Sequence, residues 1–126
     1  MPTDIRVIHA PDFVRATADG ELDFEASKKA LKEVGLAASN LVNYEILLDT
    51  RRTQSQMSAT ELWYLAADLS TLGEAFHRKT AVLCPVEHFD DAAFFETCAQ
   101  NRGFRVKAFT SFEAAINWLI GVEPDA

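Results

Sequence analysis

The sequence predicts a single α/β domain ordered ββαβαβαβα, with a mainly parallel sheet, an N-terminal antiparallel hairpin and helices packed on the sheet. Three observations point there. Segments with strand periodicity alternate with segments of helical periodicity, and parallel strands need such crossover connections. Two short apolar runs, 44–49 (YEILLD) and 79–84 (KTAVLC), have the composition of strands buried on both faces. Capping and turn residues fall between the segments.

Residues 5–9 alternate apolar and polar side chains and read as a strand. Pro11-Asp12 interrupts it, 13–18 supplies its antiparallel partner, and Asp19-Gly20 marks a turn. Asp23 caps a helix in which Phe24, Leu31, Val34, Ala38 and Leu41 recur at helical spacing, with Lys28, Lys29, Lys32 and Glu33 between them. Gly35 weakens its last turns. After the central strand 44–49 comes a polar loop, 50–57 (TRRTQSQM). Ser58 and Glu61 then fit the S-x-x-E capping box. They open a helix with Leu62, Leu65, Ala66, Leu69, Leu72 and Phe76 on one face.

Strand 79–84 is stopped by Pro85, and Asp90 or Asp91 opens a third helix with Ala92, Phe95 and Cys98 inward. Gly103 closes it as a C-terminal cap. Residues 104–109 alternate strictly, which places them toward a sheet edge. Thr110 or Ser111 caps the last helix, with Phe112, Ala115, Ile116 and Leu119 inward and Gly121 at its end. The chain thus reads as one domain over 1–121 with a loose tail over 122–126.

A net charge of −7 argues against nucleic-acid binding, which needs clustered Lys and Arg to displace counterions, and against an anionic membrane surface. No apolar stretch nears the ~18 residues of a membrane span, and no basic stretch followed by an apolar core opens the chain. Two well-separated cysteines, Cys84 and Cys98, fit buried reduced thiols. The expected location is the cytoplasm.

Cofactor and metal motifs are missing. There is no G-x-G-x-x-G, Walker loop or G-x-S-x-G, and His9, His77 and His88 lack ligand spacing. Cys84 and His88, four apart across a proline, read as a buried thiol and a surface imidazole rather than a nucleophile and its base. Asp49 paired with Lys107 has the outline of a phospho-acceptor aspartate, but only one acidic residue, Asp12, follows the first strand where a receiver has two. The stretch 49–60 carries the densest polar chemistry: Asp49, Thr50, Arg51, Arg52, Ser55, Ser58 and Thr60. It runs from the end of a parallel strand into a helix start, the place where open sheets bind ligands and where arginines with free backbone N–H groups hold anions; the alternative is that Ser58 is only a cap and the arginines are solvated. The neighbouring aromatic pairs Trp63-Tyr64 and Phe94-Phe95 sit at adjacent helix positions, so either a wide core stripe takes both members or some aromatic surface is left for a partner or a self-contact.

Three segments carry a family resemblance. The run 20–26 (GELDFEA) enters the first helix. Ile46-Leu47-Leu48-Asp49 ends in Asp, with Ser58 opening a helix nine residues later. The ending pairs Asn101-Arg102-Gly103-Phe104 with a final helix, 112–119 (FEAAINWL). Together they resemble the STAS family of anti-sigma-factor antagonists and sulfate-transporter cytoplasmic domains, in particular its stand-alone bacterial members. That resemblance implies a non-enzymatic regulatory module, a protein partner, and Ser58 as the matching position for a phosphorylated serine. Met57 stands where the family carries Asp, and the Gly that follows in the family is absent. The expectation is therefore a binding module that engages a protein partner or small anionic ligand at 49–60, without cofactor or metal, able to form a homodimer. The alternative is a small enzyme, or a carrier of a lipid-like ligand, using a pocket at the carboxyl ends of the strands.

Overall fold

The computed structural model describes residues 4–9, 13–39, 45–55, 57–72, 76 and 78–121. Among these, five strands form one sheet in the order β1-β2-β3-β4-β5: β1 (Asp4–His9), β2 (Phe13–Leu22), β3 (Glu45–Ser55), β4 (Thr80–Leu83) and β5 (Val106–Phe109). β2 to β5 run parallel, and β1 lies antiparallel to β2 from Asp4 opposite Asp19 to His9 opposite Val14. The Pro11 turn between them, the tail 122–126, and Leu41 and Tyr44 lie outside the described residues.

Among the described residues there are also four α-helices: α1 (Phe24–Ser39), α2 (Ala59–Leu72), α3 (Phe89–Gln100) and α4 (Phe112–Leu119). Successive strand residues point to opposite faces, so the neighbours Ile46 and Leu47 serve different cores, and both are fully buried. Ile46 packs with Leu31 and Val34 of α1, Leu65 and Leu69 of α2 and Phe95 of α3. Leu47 packs with Ala81, Leu83, and Ala115 and Leu119 of α4. Three helices thus cover one face and one short helix the other, which is why β3 and β4 are the apolar strands.

The helix starts follow local chemistry. Asp23 Oδ1 accepts from the backbone N–H of Ala26 at 2.8 Å. Ser58 Oγ accepts from Glu61 N–H at 3.2 Å while Glu61 Oε1 accepts from Ser58 N–H at 3.0 Å, the reciprocal capping box. Ser111 Oγ accepts from Ala114 N–H at 3.3 Å. At α3 the expectation fails: His88 occupies the capping position without a side-chain bond, and Asp90 and Asp91 sit in the first turn, where their charge still suits the helix dipole.

Two further departures concern the strands. Asp19-Gly20 is no turn; β2 continues through it to Leu22, with Gly20 at φ 106°. Residues 50–55 are no loop either. They extend β3 and pair in parallel with β2 as far as Leu22 opposite Ser55. Polar composition concealed this strand because its ladder lies beyond the covered core. The register slips where Thr17 faces Asp49 but Asp19 faces Arg52, so β3 carries one extra residue there.

Candidate functional site

Asp49 lies within β3, not at its end, and is almost fully buried beside α4. Two guanidinium groups meet it. Arg15 Nη2 donates to Oδ2 at 2.8 Å. Arg51 donates Nε to Oδ1 at 3.0 Å, Nη2 to Oδ2 at 2.9 Å and its backbone N–H to Oδ1 at 3.2 Å. Both arginines stack over the ring of Phe112, at 5.2 and 5.8 Å. Burial pushes the Asp49 carboxyl up, but the bonds from Arg51 and Arg15 outweigh it and hold the group below its ordinary range. The same contact raises the Arg51 pKa. Phe112, expected inward, is instead partly exposed because it serves as the platform for these arginines.

This arrangement divides the residues 49–60. Asp49 and Arg51 neutralise one another on the α4 face. Thr50 and Thr53 turn to the other face, where Thr50 Oγ1 donates to the Leu83 carbonyl at 2.9 Å and Thr53 Oγ1 to the Thr50 carbonyl at 2.7 Å. The extra residue in β3 lets these two threonines, three apart, share a face. Arg52, Ser58 and Thr60 are exposed, and Ser58 holds the start of α2. The backbone of Ser55 ends β3; its side chain lies outside the described residues.

Beyond Ser58 the outer face of α2 is aromatic. Trp63 and Tyr64 are 44% and 53% exposed and meet edge to face at 5.2 Å. Arg102, from the turn after α3, lies 4.5 Å from the Trp63 ring centre. Of the other pair, Phe94 is exposed and Phe95 buried. Lys107 is exposed on the edge strand β5 and stacks on Phe109, while Asp49 is in register with Leu83 and, through it, Phe109. Asp49 is therefore committed to arginines rather than paired with Lys107.

A cavity of about 130 Å³ opens on the three-helix face at the carboxyl ends of the strands. Ala16 and Ala18 of β2, Ala30 of α1 and Ala92 of α3 line it, and their small side chains leave the space. Leu48 and Val82, on central strands, remain only partly buried because they face it. Cys84 and His88 also line it. The Cys84 Sγ donates to the Phe109 carbonyl at 3.5 Å, and burial pushes its pKa up to about 11, which favours the protonated thiol at neutral pH. Both cysteines are free and buried. Among the described residues, no group of three His, Cys, Asp or Glu is placed to hold a metal, and no helix is long and apolar enough to cross a membrane.

The sequence pointed to Asp49, Arg51 and Ser58 but not to Arg15, which reaches the carboxylate from β2, or to Phe112 of α4, whose ring lies under both arginines. A pocket at the carboxyl ends of the strands was the sequence's alternative expectation; its lining residues were not named, and the alanines at inward positions of four elements are their signal.

No protein-family model matches the chain, and no curated protein matches it in sequence. Solved structures do match in fold. An uncharacterised protein of the DUF3478 family with a SpoIIAA-like fold, from Shewanella loihica, aligns with a TM-score of 0.59 at 17% identity over 93% of each chain. An anti-sigma factor antagonist from Mycobacterium paratuberculosis aligns with a TM-score of 0.61 at 14% identity over 94% of each chain. The anti-sigma factor antagonist SpoIIAA in its unphosphorylated form aligns with a TM-score of 0.55 at 18% identity, over 96% of this chain and all of that one. The chain therefore has a STAS-like, SpoIIAA-like fold.

Proposed function

We propose that this chain is a non-enzymatic regulatory module of STAS type that binds a protein partner through the first turns of α2, from Ser58 to Tyr64. The observation that carries this reading is the exposed Trp63–Tyr64 pair, one turn beyond an exposed capping serine on a firmly started helix. Aromatic side chains of this size anchor interfaces at low entropic cost, and burying the pair removes apolar surface that now faces water. The fold likeness to anti-sigma factor antagonists supports the same reading.

Ser58 is the candidate phospho-acceptor. Its hydroxyl is exposed at the positive end of α2, where a phosphate is electrostatically favoured and would add negative charge to the docking face. Exposed Arg52 of β3 and exposed Thr60 of the first turn of α2 are the further contacts, while Thr50, Arg51 and Asp49 belong to the braced strand that leads to α2. The same aromatic pair also suits a homodimer contact.

The test is photo-crosslinking in the source cells. A photoreactive residue in place of Tyr64 traps one discrete partner, whereas the same residue in place of the exposed Glu113 on the opposite face traps none. Native mass spectrometry then follows a phosphoryl adduct that vanishes in Ser58→Ala and tells a heteromeric partner from a second copy. Equal crosslinking from both positions, or none from either, removes the proposal.

A further inference from the structure

We propose that the cavity between the first turns of α1, α2 and α3 binds a small, uncharged, mostly apolar molecule, a phenol or a short-chain alcohol, whose one polar group hydrogen-bonds Ser27 Oγ. This site is separate from the outer face of α2: Ser58, Trp63 and Tyr64 do not line it.

Size sets the class first. The cavity holds about 130 Å³, and an engineered apolar cavity of about 150 Å³ takes up benzene. A single ring or a chain of similar bulk fits, and a full-length lipid does not. The walls set the polarity. Leu31, Val34, Leu48, Leu65, Val82 and Phe95 present hydrocarbon, and among the described residues no Lys or Arg lines the space. A carboxylate or phosphate head would be desolvated there without a counter-charge, so a neutral molecule is favoured.

Ser27 supplies the inner polar contact, since Asp49 is taken by Arg15 and Arg51 while His88 and Asp91 line the cavity at its half-buried to exposed side. Ser27 lies in the first turn of α1, is 6% exposed and lines the cavity, and its Oγ has no hydrogen-bond partner among the described residues. The other hydroxyls and the thiol in the wall already donate elsewhere: Thr50 to Leu83, Thr53 to Thr50, Cys84 to Phe109. An unpaired hydroxyl in an apolar wall is costly unless something in the cavity completes it. Leu48 and Val82 argue in the same direction, since central-strand side chains left partly uncovered gain from an occupant that covers them. The way in lies at the start of α3, where Asp91 is the exposed lining residue beside half-buried Pro85, His88 and Ala92.

The test titrates the full chain by amide NMR with phenol, toluene, 1-hexanol and hexanoate. Phenol and hexanol are expected to shift the amides of Ser27, Thr53 and Ala92 saturably, with toluene weaker and hexanoate roughly tenfold weaker than hexanol. Ser27→Ala is expected to lower phenol affinity about fivefold, the worth of one neutral hydrogen bond, and to leave toluene unchanged. Ala92→Leu and, independently, Ala30→Leu fill the space from two walls and abolish binding, with the rest of each spectrum reporting that the fold is kept. Absence of saturable shifts at the cavity amides overturns the proposal. So does phenol affinity indifferent to Ser27→Ala, or hexanoate binding tighter than hexanol.

Discussion

Arg51 closes on Asp49 from two residues further along the same strand, donating Nε to Oδ1 at 3.0 Å and Nη2 to Oδ2 at 2.9 Å. The two side chains share a face because strand residues alternate, and Arg15 from β2 completes the cluster at 2.8 Å. The Asp49 side chain is almost fully buried while the side chains of Arg15 and Arg51 are 31% and 41% exposed. Charge at this point of the sheet therefore braces the extension of β3 that leads to α2.

Asp49→Ala should cost about 3 kcal/mol in urea denaturation, because two arginines lose a buried acceptor. Asp49→Asn should cost less, since its amide oxygen still accepts. The folded carboxyl has a lowered pKa, so its contribution is complete above its ordinary value of 3.8 and fades as pH falls through the lower folded value. The stability gap between wild type and Asp49→Asn should accordingly be constant from pH 5 to 7 and narrow below about pH 4. A gap that widened on acidification would contradict the ion cluster.

Cys84 should resist alkylation. Burial lifts its pKa from 9.0 to about 11, so thiolate is scarce at pH 8 and the sulfur is screened as well. Iodoacetamide followed by peptide mass mapping should leave Cys84 unmodified in the folded chain and label it in urea. The folded thiol holds its proton longer than the unfolded one, so its contribution to stability is full below pH 9.0 and declines as pH rises toward about 11. Cys84→Ala should lack that alkaline decline.

The fold was legible wherever one face of an element meets a core. Ile46 and Leu47 gave the central strand, Leu62 to Leu69 the second helix, and Ser58 with Glu61 its start. It was illegible where backbone pairing alone decides. Residues 50–55 are polar, yet their ladder with β2 makes them strand, and no side-chain pattern records a partner 33 residues earlier in the chain. Asp19-Gly20 has turn composition because Gly20 sits at φ 106°, beside a register slip rather than a reversal. The charge cluster was half visible for a similar reason. Asp49 and Arg51 are two apart, but Arg15 and Phe112 join them only through sheet order and the placement of α4.

Gly103 closes α3 at φ 88°, and a Cβ built there would meet nothing within 4 Å. Its substitution therefore isolates the backbone term. Gly103→Ala should cost about 1 kcal/mol and Gly103→Asn less, since Asn tolerates the left-handed region. Equal stability of all three by thermal denaturation would mean that the turn rearranges.

The start of α2 allows stability and recognition to be separated at one position. Ser58→Ala removes the acceptor of the Glu61 N–H and should cost about 1 kcal/mol, with Glu61→Ala non-additive to it because the two bonds form one box. Ser58→Asp keeps an acceptor at the cap and adds negative charge at the positive helix end, so it should match wild type in stability. The pair then reads differently in binding. If the partner senses charge at α2, Ser58→Asp alters capture at Tyr64 although the helix start is intact, and Ser58→Ala retains capture despite its lower stability. Denaturation curves of the three proteins, measured beside crosslinking yield, decide it: yields that simply track stability would reduce Ser58 to a cap.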